Sequence, residues 1–79
     1  MNMIKNDYDK LLYLTRKVES KQATKQEKDQ YIELLYKNNS ITKSQYENYL
    51  SGRNNEDLLA TALVIGGIIL VGYLISKIN

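Results

Sequence analysis

Apolar residues recur along the first part of the chain at the spacing of helices that bury one side. Ile4, Tyr8, Leu11, Leu12, Leu14 and Val18 share one arc, with Asp7, Lys10 and Lys17 facing away, which predicts an amphipathic helix over residues 3–20. Thr24 followed three positions later by Glu27 is a capping box; the apolar set Tyr31, Ile32, Leu34 and Leu35 behind it predicts a second helix over 25–38. Asn38 and Asn39 close it, since Asn tolerates the left-handed backbone that ends helices. A second box, Thr42 with Gln45, opens a short helix over 43–51, and Ile41 before the cap with Tyr46 behind it has the spacing of a hydrophobic staple. Ser51 and Gly52 are its stop, and residues 53–57 read as a polar joint.

The pattern then changes character. From Leu58 to Ile75 the chain reads LLATALVIGGIILVGYLI, with no charge, and at helical rise this run covers about 27 Å, close to the thickness of a bilayer's hydrocarbon core. Ser76 and Ile78 lengthen it, Lys77 can extend its ammonium into the headgroups, and Tyr73 falls where interfacial tyrosines are favoured. Glu56 and Asp57 sit in the first turn, where carboxylates complement the positive end of the helix. The expectation is all-α: a small three-helix soluble head at 1–52, a joint at 53–57, and one C-terminal transmembrane helix at 58–78. The first 57 residues are too few and too polar to shelter a helix that is apolar on every side.

Within that helix the small residues are unevenly placed. At roughly 100° per residue, Ala62, Gly66, Ile69, Gly72, Tyr73 and Ser76 fall within an arc of about 120°. The pairs Ala62–Gly66 and Gly72–Ser76 give a thin face of the kind that lets two membrane helices approach closely, and association of copies is expected through it. Gly67 lies off this arc, so Gly66–Gly67 is alternatively a point where the helix bends.

Composition narrows the chemistry. Among 79 residues there is no cysteine and no histidine, which removes thiolate and imidazole metal sites, disulfides and the usual neutral-pH proton carrier. No Gly-rich elbow, phosphate loop or paired-carboxylate arrangement surrounds the remaining nucleophiles. No catalytic, cofactor-binding or metal-binding residue is therefore assigned, and no small-molecule substrate is expected. The 11 basic and 9 acidic residues alternate, so no single-sign field favours nucleic acid. Six of the seven tyrosines lie in the head, with no Phe or Trp anywhere. Tyrosine must do the packing; Tyr13 and Tyr36, off the apolar arcs, are the candidates for a partner surface.

The stretch YIELLYKNNSITKSQYENYLSG, residues 31–52, resembles the short C-terminal domain (SHOCT) family, a helical hairpin. Leu34 and Leu35, Ile41–Thr42, Tyr46 and Leu50 stand at the corresponding positions. Asn39 replaces the customary turn glycine, and the hairpin precedes rather than follows the apolar segment. The resemblance covers about a quarter of the chain. It implies an oligomerisation or docking module without catalytic residues.

Several functional expectations follow. The first is a non-enzymatic, single-pass membrane protein whose head binds a protein partner or its own copies. The second is a membrane-permeabilising oligomer of holin type, or a phage internal virion protein that enters the host membrane during DNA delivery. The third is a small regulator of a membrane protein. The Lys- and Asn-rich, Pro-free composition is in keeping with an AT-rich genome such as those of low-GC Gram-positive bacteria and their phages. The head is expected in the cytoplasm, or packaged in a virion: MNMIKNDYDK has no apolar run to serve as a leader, whereas the few residues after the span cross easily.

Overall fold

The computed structural model describes residues 4–53 and 55–78. It is all-α, with four helices in chain order: α1 (Lys5–Glu19), α2 (Lys25–Lys37), α3 (Lys43–Leu50) and α4 (Asn55–Ile78). No strand occurs among the described residues.

Local chemistry sets the boundaries. At the start of α2 the Glu27 amide donates to Thr24 Oγ1 at 3.1 Å while the Thr24 amide donates to Glu27 Oε1 at 2.9 Å. The start of α3 repeats this, Gln45 N to Thr42 Oγ1 at 3.0 Å and Thr42 N to Gln45 Oε1 at 2.8 Å. Each box satisfies two amides that the first turn leaves without partners. α1 begins less firmly, the Ile4 amide donating to Asp7 Oδ2 at 3.3 Å. The expected start at residue 3 lies outside the described residues.

Two connections turn through left-handed backbone at side-chain-bearing residues, Lys21 (φ 61°) and Asn39 (φ 60°), and a third at Gly52 (φ 81°). At the Asn39 turn the Ser40 amide donates to the Leu35 carbonyl at 2.9 Å, which folds α2 and α3 into a hairpin. Within it the rings of Tyr36 and Tyr46 stack, centroids 4.3 Å apart and planes 5° from parallel.

One core is shared by all four helices. Leu11, Leu14 and Val18 of α1, Tyr31, Ile32, Leu34 and Leu35 of α2, Tyr49 of α3, and Leu58, Ala62 and Leu70 of α4 are buried together, with Ile41 beside them. Two apolar positions expected inside lie outside, Ile4 at 63% exposed and Leu12 at 38%, and Leu50 is also 62% exposed. Ile4 and Leu50 stand at the ends of their helices. Leu12 sits on the flank of the α1 arc, where Thr15 takes the inner position instead.

The polar joint is shorter than 53–57, since α4 already begins at Asn55. With its amide oriented to donate, Asn55 reaches the carbonyls of Tyr49 and Arg53 at 3.2 and 3.3 Å, tying the start of α4 to the end of α3. The helix continues without interruption through Gly66 and Gly67.

Candidate functional site

The feature that sets this chain apart is α4. Within the span from Asn55 to Lys77 its most apolar 18-residue window has a mean hydropathy of 2.5, and at 24 residues the helix extends about 36 Å. It is long and apolar enough to cross a membrane. Only 28% of that apolar window is buried against the rest of the chain, whereas the central helix of a water-soluble core is covered on most sides.

The covered side is narrow and specific. Leu58, Ala62, Gly66 and Leu70 are buried, and Leu59, Leu63, Ile65, Ile69 and Tyr73 are half-buried. At its centre stands Tyr31 of α2, fully buried. Its hydroxyl accepts from Thr15 Oγ1 at 3.0 Å and donates to the Ala62 carbonyl oxygen at 3.1 Å, so one phenol joins α1, α2 and α4. Gly66 makes room for it. A Cβ at that position would overlap Tyr31 Oη and stand 3.2 Å from Cζ and 3.3 Å from Thr15 Oγ1. Burial raises the Tyr31 pKa, its largest cause, although the Thr15 hydrogen bond opposes it, so the group stays a neutral phenol.

Towards the other end of α4, Tyr73 stacks on Tyr8 of α1, centroids 3.9 Å apart and planes 14° from parallel, with Lys77 Nζ 5.4 Å from the Tyr73 ring centroid. Tyr8 therefore meets Tyr73 while Thr15 lies beside Gly66. α1 ascends as α4 descends: the two are antiparallel over the stretch from Gly66 to Tyr73.

The thin face anticipated for helix association is thus divided. Ala62, Gly66, Ile69 and Tyr73 face the chain's own head; Gly72 and Ser76 are exposed, and a Cβ at Gly72 would meet nothing within 4 Å. The opposite side of the helix is open, with Val64 64%, Ile68 68%, Val71 55%, Leu74 56% and Ile75 56% exposed.

Tyr13 and Tyr36, the residues anticipated for a partner surface, occupy different environments. Tyr13 is 55% exposed, its hydroxyl donating to Glu27 Oε2 at 3.1 Å with Lys17 Nζ 5.9 Å from the ring centroid. Tyr36 is half-buried in its stack on Tyr46. Glu27 is held ionised below the usual carboxylate range, chiefly by the Thr24 backbone amide and also by Tyr13 and Lys17. On the far side of the hairpin, the Tyr49 hydroxyl donates to Asp29 Oδ1 at 2.7 Å, and Lys25 Nζ donates to Asp29 Oδ2 at 3.0 Å. The Tyr49 bond is the largest cause of a lowered Asp29 pKa, while burial and then Asp29 push Tyr49 well up.

Among the described residues no group of three Asp or Glu side chains is placed to hold a metal ion. A depression of about 530 Å³ lined by Asp9, Leu12, Tyr13, Arg16, Lys17, Ser20 and Gln22 runs along the outer side of α1 and its following turn.

The residues that sequence reasoning missed are Thr15 and Tyr31 as a pair. Thr15 lies on the apolar arc between Leu11, Leu14 and Val18, and a hydroxyl there needs an internal partner; that was the available signal. The chain matches no family model, no curated protein and no solved structure.

Proposed function

We propose that this is a non-enzymatic membrane-anchored interaction protein, in which α4 engages a lipid bilayer and the helical head presents a protein-binding surface on the cytoplasmic side. The observation that carries the reading is the uncovered side of α4. Five large aliphatic residues in sequence from Val64 to Ile75 are more than half exposed on a helix long enough to span. A continuous apolar surface of that kind marks a membrane or protein contact. The head cannot enclose it, and hydrocarbon covers it fully. The α2–α3 hairpin with its stacked Tyr36–Tyr46 pair, and separately the exposed Tyr13 of α1, support a docking role in keeping with the SHOCT-like residues.

Flotation with liposomes followed by alkaline carbonate extraction tests this. Integral association is the expected result; a chain that stays in the aqueous fraction would remove the membrane role.

A second reading, a membrane-permeabilising homo-oligomer of holin type, is favoured by one detail. The open residues Val64, Ile68, Val71 and Ile75 are spaced four, three and four apart, the spacing of a helix-to-helix seam. Polar groups able to line water are few along α4, namely Thr61, Tyr73 and Ser76, which favours the anchor. Dye release from liposomes at low protein-to-lipid ratio separates the two: release supports the lesion, and its absence leaves the anchor.

A further inference from the structure

We propose that the head is a removable sheath for α4, with the docked arrangement and the membrane-spanning arrangement excluding one another. The proposal rests on the membrane reading above and adds a conformational step to it.

The geometry makes the exclusion unavoidable. α1 lies antiparallel along α4 from Gly66 to Tyr73, so the Tyr8 end of α1 reaches the same depth as the end of the apolar span. α1 carries Lys5, Asp7, Asp9, Lys10, Arg16, Lys17 and Glu19. Were α4 to span with α1 still attached, these charges would be drawn to membrane depth without a water-filled cavity or partner helices to receive them. Crossing therefore requires that α1 leave α4.

The contacts are of a kind that can be released. Among the described residues every ion pair is internal to the head, joining Lys17 to Glu27, Lys25 to Asp29, Lys37 to Glu33 and Lys43 to Glu47. Beyond the first turn of α4, the side-chain hydrogen bond from the head onto it among the described residues is the one from Tyr31 to the Ala62 carbonyl. That carbonyl already serves the helix's own ladder, so α4 loses no obligatory partner on leaving. In water the docked state wins because it hides Leu58, Ala62, Leu70 and the inner face of α1. At a bilayer, lipid covers both sides of α4. The vacated face of α1, with Tyr8, Leu11, Leu14 and Val18 backed by a polar face of four basic and three acidic side chains, is that of an amphipathic helix able to lie at a membrane interface.

The chain has no native cysteine, so the docked state can be fastened cleanly. Full-length protein carrying Tyr8→Cys and Tyr73→Cys is bridged in detergent-free buffer with a short, reducible bis-methanethiosulfonate. It is then mixed with vesicles of equal parts phosphatidylcholine and phosphatidylglycerol, and carbonate-resistant integration is measured before and after reduction. The expected result is that the bridged protein stays extractable and that reduction restores integration to the wild-type level. Equal integration of bridged and reduced protein would overturn the sheath while leaving the membrane anchor standing. Failure of the reduced and wild-type proteins alike to integrate would overturn the anchor itself. Failure of the two cysteines to be bridged at all would overturn the docked state. As a second variant, Tyr31→Phe leaves α4 unaltered and, by removing the hydroxyl's bonds to both Thr15 and Ala62, is expected to raise the partition into vesicles about five- to thirtyfold. An unchanged partition would overturn Tyr31 as the clasp.

Discussion

Gly66 of the apolar helix lies directly beneath the hydroxyl of Tyr31, and the absence of a side chain at Gly66 is what allows that hydroxyl to reach the carbonyl of Ala62, four residues earlier, at 3.1 Å. Thirty-five residues separate the two in sequence. The contact is nevertheless the point where three helices converge.

Placing a methyl at this point forces Tyr31, fully buried and hydrogen-bonded, to move. Gly66→Ala is expected to destabilise the docked fold by about 1–3 kcal/mol, the usual cost of overpacking, read as a lower midpoint in urea followed by far-ultraviolet circular dichroism. Gly67→Ala and Gly72→Ala are the controls, since a Cβ at either meets nothing within 4 Å. Both should be neutral or gain up to about 1 kcal/mol from helix propensity. Equal losses at all three would refute the close approach at Gly66.

The Thr15–Tyr31–Ala62 chain predicts a coupled loss. Tyr31→Phe is expected to cost about 1–2 kcal/mol, because it removes a buried donor and strips Thr15 of its acceptor. Thr15→Val in the Tyr31→Phe background should cost much less than Thr15→Val in the wild type. A double-mutant cycle of unfolding free energies measures this, and strict additivity would show that the two hydroxyls do not interact.

Lys21 adopts φ 61° at the end of α1, a conformation that costs a side-chain-bearing residue about 1–2 kcal/mol. Lys21→Gly should relieve that strain. The gain will be partly offset by glycine's greater freedom in the unfolded chain, leaving a net stabilisation of up to about 1 kcal/mol. Asn39→Gly, at φ 60°, should gain less because Asn tolerates this region. A rise in midpoint for Lys21→Gly exceeding that for Asn39→Gly is the checkable order.

The Asp29–Tyr49 bond makes stability fall at both ends of the pH scale. The folded-state pKa of Asp29 is lowered, first by the Tyr49 hydroxyl. Its contribution is therefore present above the unfolded carboxylate value, about 3.9, and is lost as pH falls through the lower folded value. Tyr49 is raised, first by burial and then by Asp29. The folded chain retains that proton while the unfolded chain releases it, so stability declines as pH rises beyond about 10. In Tyr49→Phe the acid-side dependence should flatten below pH about 4, measured by urea midpoints across pH; an unaltered profile would show that Asp29 gains nothing from the phenol.

Much of this architecture was legible along the chain. Thr24 with Glu27 and Thr42 with Gln45 mark helix starts because a capping box needs only residues three apart. The length and apolarity of α4 follow from composition alone, and so does its capacity to span a bilayer. A small-residue arc through Ala62, Gly66 and Ile69 was visible for the same reason. What touches that arc was not: its neighbours are Thr15 and Tyr31, contributed by two other helices, and no local period encodes which helix will lie against it. The inward turn of Thr15 and the outward turn of Leu12 were likewise settled by where α2 and α4 come to rest.

The sequence by itself determined four helices, the capping boxes of α2 and α3, and one segment long and apolar enough to span a membrane, because each depends on interactions within a few residues. Only the tertiary structure decided that α1 runs antiparallel along that segment, that Tyr31 fills the space left at Gly66, and that the Val64–Ile75 side stays open. Those outcomes depend on how much of one helix the others are wide enough to cover, and this is fixed when the elements pack together.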